Sequence, residues 1–226
     1  MRKITFLLFA VLILTFLFFG QINAEDKKGT KVNKPTTNDL MDFIAINQAY
    51  MRFGNNGNTA HNNVTSTNGL LWPGGLNATV GPVFQDGLIW GGKVGTEIRV
   101  GGSTYRQGMQ AGPILPNGST DPQNPNYRIY KIRKGWELLP GGADRDRYES
   151  DYNNWPVVDG APWVDIDGDK IFTKGVDEPQ FLGDETIWYV MNDMDATRST
   201  FLYGMQPMGI EVQVTLFAFN RTGPLG

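Results

Sequence analysis

"GIEVQVTLFAFN", Gly209 to Asn220, is the stretch on which the fold turns. Ile210, Val212, Val214, Leu216 and Ala218 fall on one side of an extended chain, against Glu211, Gln213, Thr215, Phe217 and Phe219 on the other. That is the period-two pattern of a β-strand. Because the second side turns aromatic near its end, the strand is expected to enter a packed interface.

Six more segments have strand composition: "NQAYMRFG" (47–54), "GLIWGGKV" (87–94), "TEIRVGG" (96–102), "STYRQGMQ" (103–110), "YRIYKIRKG" (127–135) and "ETIWYVMND" (185–193). In the fifth, Ile129 and Lys131 share one face while Tyr130 and Ile132 share the other. Gly and Pro together make up 41 of the 226 residues, well above their usual combined share of about 12%, so long helices have little room. One short helix is expected near "DRDRYESDY" (144–152). The pattern predicts a mainly β protein, an antiparallel β-sandwich of jelly-roll or immunoglobulin-like type. The connection between residues 134 and 186 is too long for a bare loop in a compact domain. It is expected to be a crossover with structure of its own.

Charge is concentrated in that crossover. Residues 144–195 carry 14 acidic and 4 basic side chains, a net charge of −10, whereas residues 25–143 carry 12 basic and 8 acidic ones, a net of +4. Charge this dense repels itself unless it is solvated or neutralised. Inside it lies "WVDIDGDKIFTKGVDEP" (163–179), with Asp165, Asp167 and Asp169 at alternate positions around Gly168. Calcium takes six to eight oxygen ligands, which a loop supplies well from alternate residues. The expected ligands are Asp165, Asp167, Asp169, the carbonyl of Ile171, and Asp177 closing the shell; the expected cofactor is a structural calcium ion. The loop departs from the helix-loop-helix calcium motif, with Lys170 where glycine belongs and Val176 where an acid belongs. The alternative is a plain hairpin turning at Asp167-Gly168, since Asp-Gly is a strong hairpin signal. "NDMD" (192–195) is a candidate for further oxygen ligands, and Asp184 with Glu185 is a conceivable acid pair.

No catalytic constellation is legible. His61 is the single histidine, there is no cysteine, and no nucleophile elbow is present. The lack of cysteine excludes thiolate metal sites, thiol nucleophiles and disulfides. Of the six tryptophans, Trp155 and Trp163 lie in the acidic crossover and are candidates for stacking on a sugar ring; Trp90 and Trp188 lie within strands and are expected in the core.

The first residues, "MRKITFLLFAVLILTFLFFGQINAED", place Arg2 and Lys3 before an apolar run and a small residue at Ala24. This is the layout of a secretory signal peptide at 1–24, and no later segment is apolar enough to span a membrane. Cleavage would leave 18 basic against 23 acidic residues, a net charge of −5, which disfavours nucleic acid as a partner. Residues 25–45 are expected to be a disordered leader, and 46–226 the sandwich domain.

Several of these segments taken together, "NGLLWPGG", "GLIWGGKV", "YRIYKIRKG", "GAPWVDIDGDK", "DEPQFLGDETIWYVMNDMD" and "GIEVQVTLFAFNRTGPLG", resemble the amino-terminal region of large exported proteins of Bacteroidetes-type bacteria. Those proteins commonly end in a type IX secretion sorting domain. The resemblance implies a secreted or cell-surface location and a non-catalytic module for adhesion or structural support. The partners it implies are a surface protein, an extracellular glycan, or downstream domains of a longer chain, with the sandwich incomplete at residue 226. The alternative function is a carbohydrate-binding module, or the front part of an extracellular polysaccharide-degrading enzyme.

Overall fold

The structure, a computed structural model, describes residues 38–104, 106–221 and 223. Thirteen strands lie among them: β1 (Met41–Ile44), β2 (Tyr50–Gly54), β3 (His61–Asn62), β4 (Thr67–Asn68), β5 (Leu70–Leu71), β6 (Ile89–Val94), β7 (Glu97–Gly102), β8 (Gln110–Ala111), β9 (Tyr130–Arg133), β10 (Trp163–Val164), β11 (Glu178–Pro179), β12 (Glu185–Asn192) and β13 (Glu211–Ala218). Two α-helices, Ala143–Asn153 and Ala196–Tyr203, and three short 3-10 helices, Gly75–Asn77, Trp136–Leu138 and Val157–Asp159, complete the regular structure of the described residues. The protein is mainly β, its sheets antiparallel and none closed into a barrel, as the sandwich-like pattern predicts.

The organising strand is β12. One edge pairs with β13 over its whole length, from Glu185↔Ala218 to Asn192↔Glu211. The other edge is shared, with β9 against residues 185–188 and β8 against residues 191–192. With both edges occupied, its near-continuous apolar run can be buried on both faces, and all eight residues are buried. Ile187, Tyr189 and Met191 pack with Phe53, Met109 and Ile129, joined by Val212, Val214 and Leu216 of β13. Trp188 and Val190 point the other way, into a cluster with Tyr130, Ile132, Trp155 and Ala161. Phe53 comes from the separate sheet β1-β2-β5, and its ring stacks on Tyr189 with centroids 6.0 Å apart.

The second face of the sheet is covered by the crossover. The helix Ala143–Asn153 carries few apolar side chains, and polar contacts attach it. Tyr148 donates its hydroxyl proton to Glu185 Oε2 at 2.5 Å. Asp151 is buried, ion-paired to Arg128, and accepts the Lys131 backbone N–H at 2.9 Å. Arg147 pairs with Asp42 beyond the helix, which ties it to β1.

Two expectations need correction. The leader expected at 25–45 is ordered from its last residues: Met41–Ile44 forms β1 and pairs in register with Gly54–Met51; the proposed signal peptide and residues 25–37 lie outside the described residues. The described residues of "STYRQGMQ" ahead of Gln110 form no strand: Ser103 Oγ accepts the Gly108 N–H at 2.6 Å, and Gln110 then joins the sheet. β13 enters the packed interface by its apolar face, through Val212, Val214 and Leu216, whereas Phe217 on its other side and Phe219 just beyond it are 50% and 42% exposed. The apolar cluster under the crossover gathers side chains around β9 and β12 and includes none from β13, whose Gln213 meets the crossover by donating to the Asp159 carbonyl at 3.4 Å.

Truncating Trp188 to alanine should lower unfolding free energy by about 3–5 kcal/mol, the range for emptying a buried aromatic site. Phe217→Ala should cost less than about 1 kcal/mol. Urea denaturation midpoints of the two variants check the contrast.

Candidate metal centre

The acidic loop is closed by a two-strand clasp. Trp163 pairs with Pro179 and Val164 with Glu178, so the chain leaves the clasp at Asp165 and re-enters it at Asp177. Ligand atoms of Asp165, Asp167 and Asp177 lie within 4.8 Å of one another, the first two exposed and the third buried. The hairpin turning at Asp167-Gly168 does not form, since the paired flanks lie at either end of the thirteen-residue excursion.

Each carboxylate is held by backbone. Asp165 accepts the N–H groups of Gly168 and Lys170, at 2.7 and 3.0 Å. Asp167 accepts from Asp169 at 3.2 Å, and Asp169 from Ile171 at 2.7 Å. Asp177 spans the loop, taking the N–H of Ile166 at 2.8 Å and that of Thr173 at 2.7 Å. A carboxylate has about four acceptor sites, so these bonds orient the group and leave lone pairs for a cation. Gly168 and Lys170 both adopt positive φ, 81° and 66°. Lys170 occupies the position at which helix-loop-helix calcium loops need glycine for their sharp turn, and it takes the left-handed backbone there although it has a side chain.

Among the expected ligands, Asp165, Asp167 and Asp177 converge. Asp169 is outside that trio, and Ile171 stands further along the loop with an exposed side chain. None of the four aspartates is ion-paired among the described residues. The donor set is all oxygen and carries three clustered negative charges without a protein cation, which suits a hard divalent ion such as calcium. Sequence spacing alone did not reveal that Asp177 is buried, at 4% exposure. The clasp that brings it back against Asp165 is a tertiary feature.

The other candidates are committed elsewhere. Asp193 is buried and accepts three backbone N–H groups, from Met208, Gly209 and Ile210, at 2.8–3.0 Å. Asp195 caps the helix Ala196–Tyr203 through the N–H groups of Thr197 and Arg198. Neither belongs to a second ligand set. Glu185 is bound by Tyr148 and lies 3.4 Å from Lys131 Nζ, while Asp184 accepts the Asn220 N–H at 2.8 Å. His61 lies in β3, half-buried and edge-on to Phe84.

Trp155 corrects the sugar-stacking expectation. It is 5% exposed, sits in the second core cluster, and donates its indole N–H to the Pro162 carbonyl at 2.8 Å. Its ring packs against that of Tyr130 in a T-shaped pair, centroids 6.3 Å apart. Trp163 is half-buried and packs edge to face with Phe172 at 5.5 Å.

Comparison with known families, with curated proteins and with solved structures finds no match to this chain.

Asp177→Ala should cost about 1–3 kcal/mol even in a chelator, because two backbone donors lose their acceptor in a partly buried place. Asp167→Ala, exposed and holding one N–H, should stay within about 0.5 kcal/mol under the same conditions. Urea titration in chelator measures both.

Proposed function

We propose that this chain is an exported, non-catalytic module of the cell surface or extracellular space, serving adhesion or structural support, whose acidic crossover is fixed by calcium. The observation that carries the reading is the convergence of Asp165, Asp167 and Asp177 with no cationic side chain paired to them among the described residues. A segment of net charge −10 that folds against a sheet gains from any ion that neutralises part of it. A structural role is favoured by the place of Asp177, whose carboxylate already ties the N–H groups of Ile166 and Thr173 across the loop that the ion would fix. Export rests on the basic, apolar and small-residue order of residues 1–24. No helix among the described residues is long and apolar enough to cross a membrane.

Binding to the folded state alone raises stability by about 2.7 kcal/mol when free calcium is a hundred times its Kd. For a domain of this size that is a shift of about 5–10 °C in Tm. Scanning calorimetry in calcium and in chelator should show that rise, and Asp167→Ala should abolish it. Superimposable melts of the unaltered protein would sink the calcium reading. Mass spectrometry of the protein recovered outside producing bacteria should find Glu25 as the first residue; an intact amino terminus on all recovered chains would refute cleaved export.

A further inference from the structure

Between the central sheet and the β6–β7 hairpin lies a cavity of about 260 Å³. Its floor is Tyr189, Met191, Val214 and Leu216 of β12 and β13, and Met109 and Trp90 wall it. Asp86 and Leu88, both exposed, stand at its lip. An apolar cavity of about 150 Å³ already accepts a benzene ring, so this one holds a ring and a short arm.

Besides the hydroxyls of Thr59 and Ser103 and the buried Trp90 indole N–H, unpartnered among the described residues, two polar groups bear on the charge of a ligand. Tyr189, 1% exposed, lines the cavity, and its hydroxyl makes no hydrogen bond among the described residues. An unbonded phenol oxygen on a cavity wall can accept a hydrogen bond from a ligand or from water. The second group is the Asp86 carboxylate. It accepts a hydrogen bond from the Thr59 hydroxyl and has no ion-pair partner among the described residues. The two groups feel one another: burial raises the Tyr189 pKa, and the Asp86 charge raises it further. Desolvation likewise raises that of Asp86. Among the lining residues Asp86 is the one that is charged at neutral pH, and none is basic.

We infer that this cavity is a binding site for a small organic ammonium ion with an apolar body, its nitrogen held between Asp86 and the Tyr189 hydroxyl. The charge sign follows from the lining, since an anion would meet Asp86 with no counter-charge. The apolar body would lie on Val214 and Leu216, and the indole and phenol rings favour a nearby cation. The residue separations, 59 to 86 to 189, carry no sequence motif, so only the fold assembles the site. This site is independent of the calcium loop.

The test is calorimetric titration of the full chain with phenethylamine, 2-phenylethanol and 3-phenylpropionate, three probes alike in body and different in charge. Phenethylamine should bind with a Kd on the order of 0.1–1 mM, the alcohol at least ~5-fold more weakly, and the acid not measurably. Asp86→Asn should bring the amine to within about twofold of the alcohol. Tyr189→Phe, which deletes a hydroxyl that bonds to nothing, should keep its Tm and weaken the amine by ~5-fold. Asp167→Ala should leave all three titrations unchanged, separating this site from the acidic loop. Absence of phenethylamine binding at 10 mM, equal binding of the amine and the acid, or an amine preference that survives Asp86→Asn would each overturn the assignment.

Discussion

The structure depends on burying one strand from every side. β12 gives up both edges to neighbours and both faces to side-chain clusters, so its peptide groups and its apolar surface leave water together. That is feasible because its middle, Ile187 to Met191, is apolar, and because the polar residues at its ends each find a partner. Glu185 meets Tyr148 and Lys131; Thr186 Oγ1 accepts the N–H groups of Leu182 and Gly183; Asn192 donates to the Gly112 carbonyl and accepts from Gln110. Burying such groups without partners would cost about 1–3 kcal/mol each. The strand's ends therefore dictate where the flanking chain must run. Asp193 continues the rule, taking three successive N–H groups just ahead of β13 and fixing where that strand begins.

The acidic segment 144–195 shows a division of labour among its acids. Asp151, Asp184, Glu185, Asp193 and Asp195 are spent on protein partners: an arginine, a lysine, a tyrosine, or backbone N–H groups at helix and strand ends. They convert negative charge into attachment, which is how a helix with little apolar surface stays on the sheet. Asp165, Asp167 and Asp177 differ. Their backbone hydrogen bonds shape the loop and leave net charge concentrated at one point. The left-handed Lys170 belongs to the same economy of shape, because the loop holds a conformation that a side-chain-bearing residue ordinarily avoids.

The sandwich layers meet unevenly, and the unevenness is informative. Phe53 stacks on Tyr189 and fills one part of the first face, whereas the part under the β6–β7 hairpin is a cavity. Interiors are ordinarily close-packed. A void with an unbonded phenol on its floor and a carboxylate at its lip departs from that rule in a way that simple underpacking by apolar residues would not.

What the sequence by itself determined was local. Periodicity located β9, β12 and β13, with Tyr130 and Ile132 on the face opposite Ile129 as their spacing requires. Side-chain direction in a strand follows from its two-residue repeat, so no partner need be known. The short helix at Ala143–Asn153, the structured crossover and the alternate aspartates were legible for the same reason: they are properties of neighbouring residues. Everything that depends on which segments meet was decided by tertiary structure. Trp155 looked like a surface aromatic because its neighbours are polar, yet folding places it over Trp188 and Tyr130. Residues 41–44 looked like leader because four residues carry too little pattern to compete with a polar context, and pairing with β2 supplies the hydrogen bonds that make them a strand. Asp177 closing on Asp165, and Asp86 facing Tyr189, bring together residues whose separation along the chain has no period to detect. Local geometry is written in adjacent side chains, whereas a site built across layers exists only once burial of β12 has fixed the distances between them.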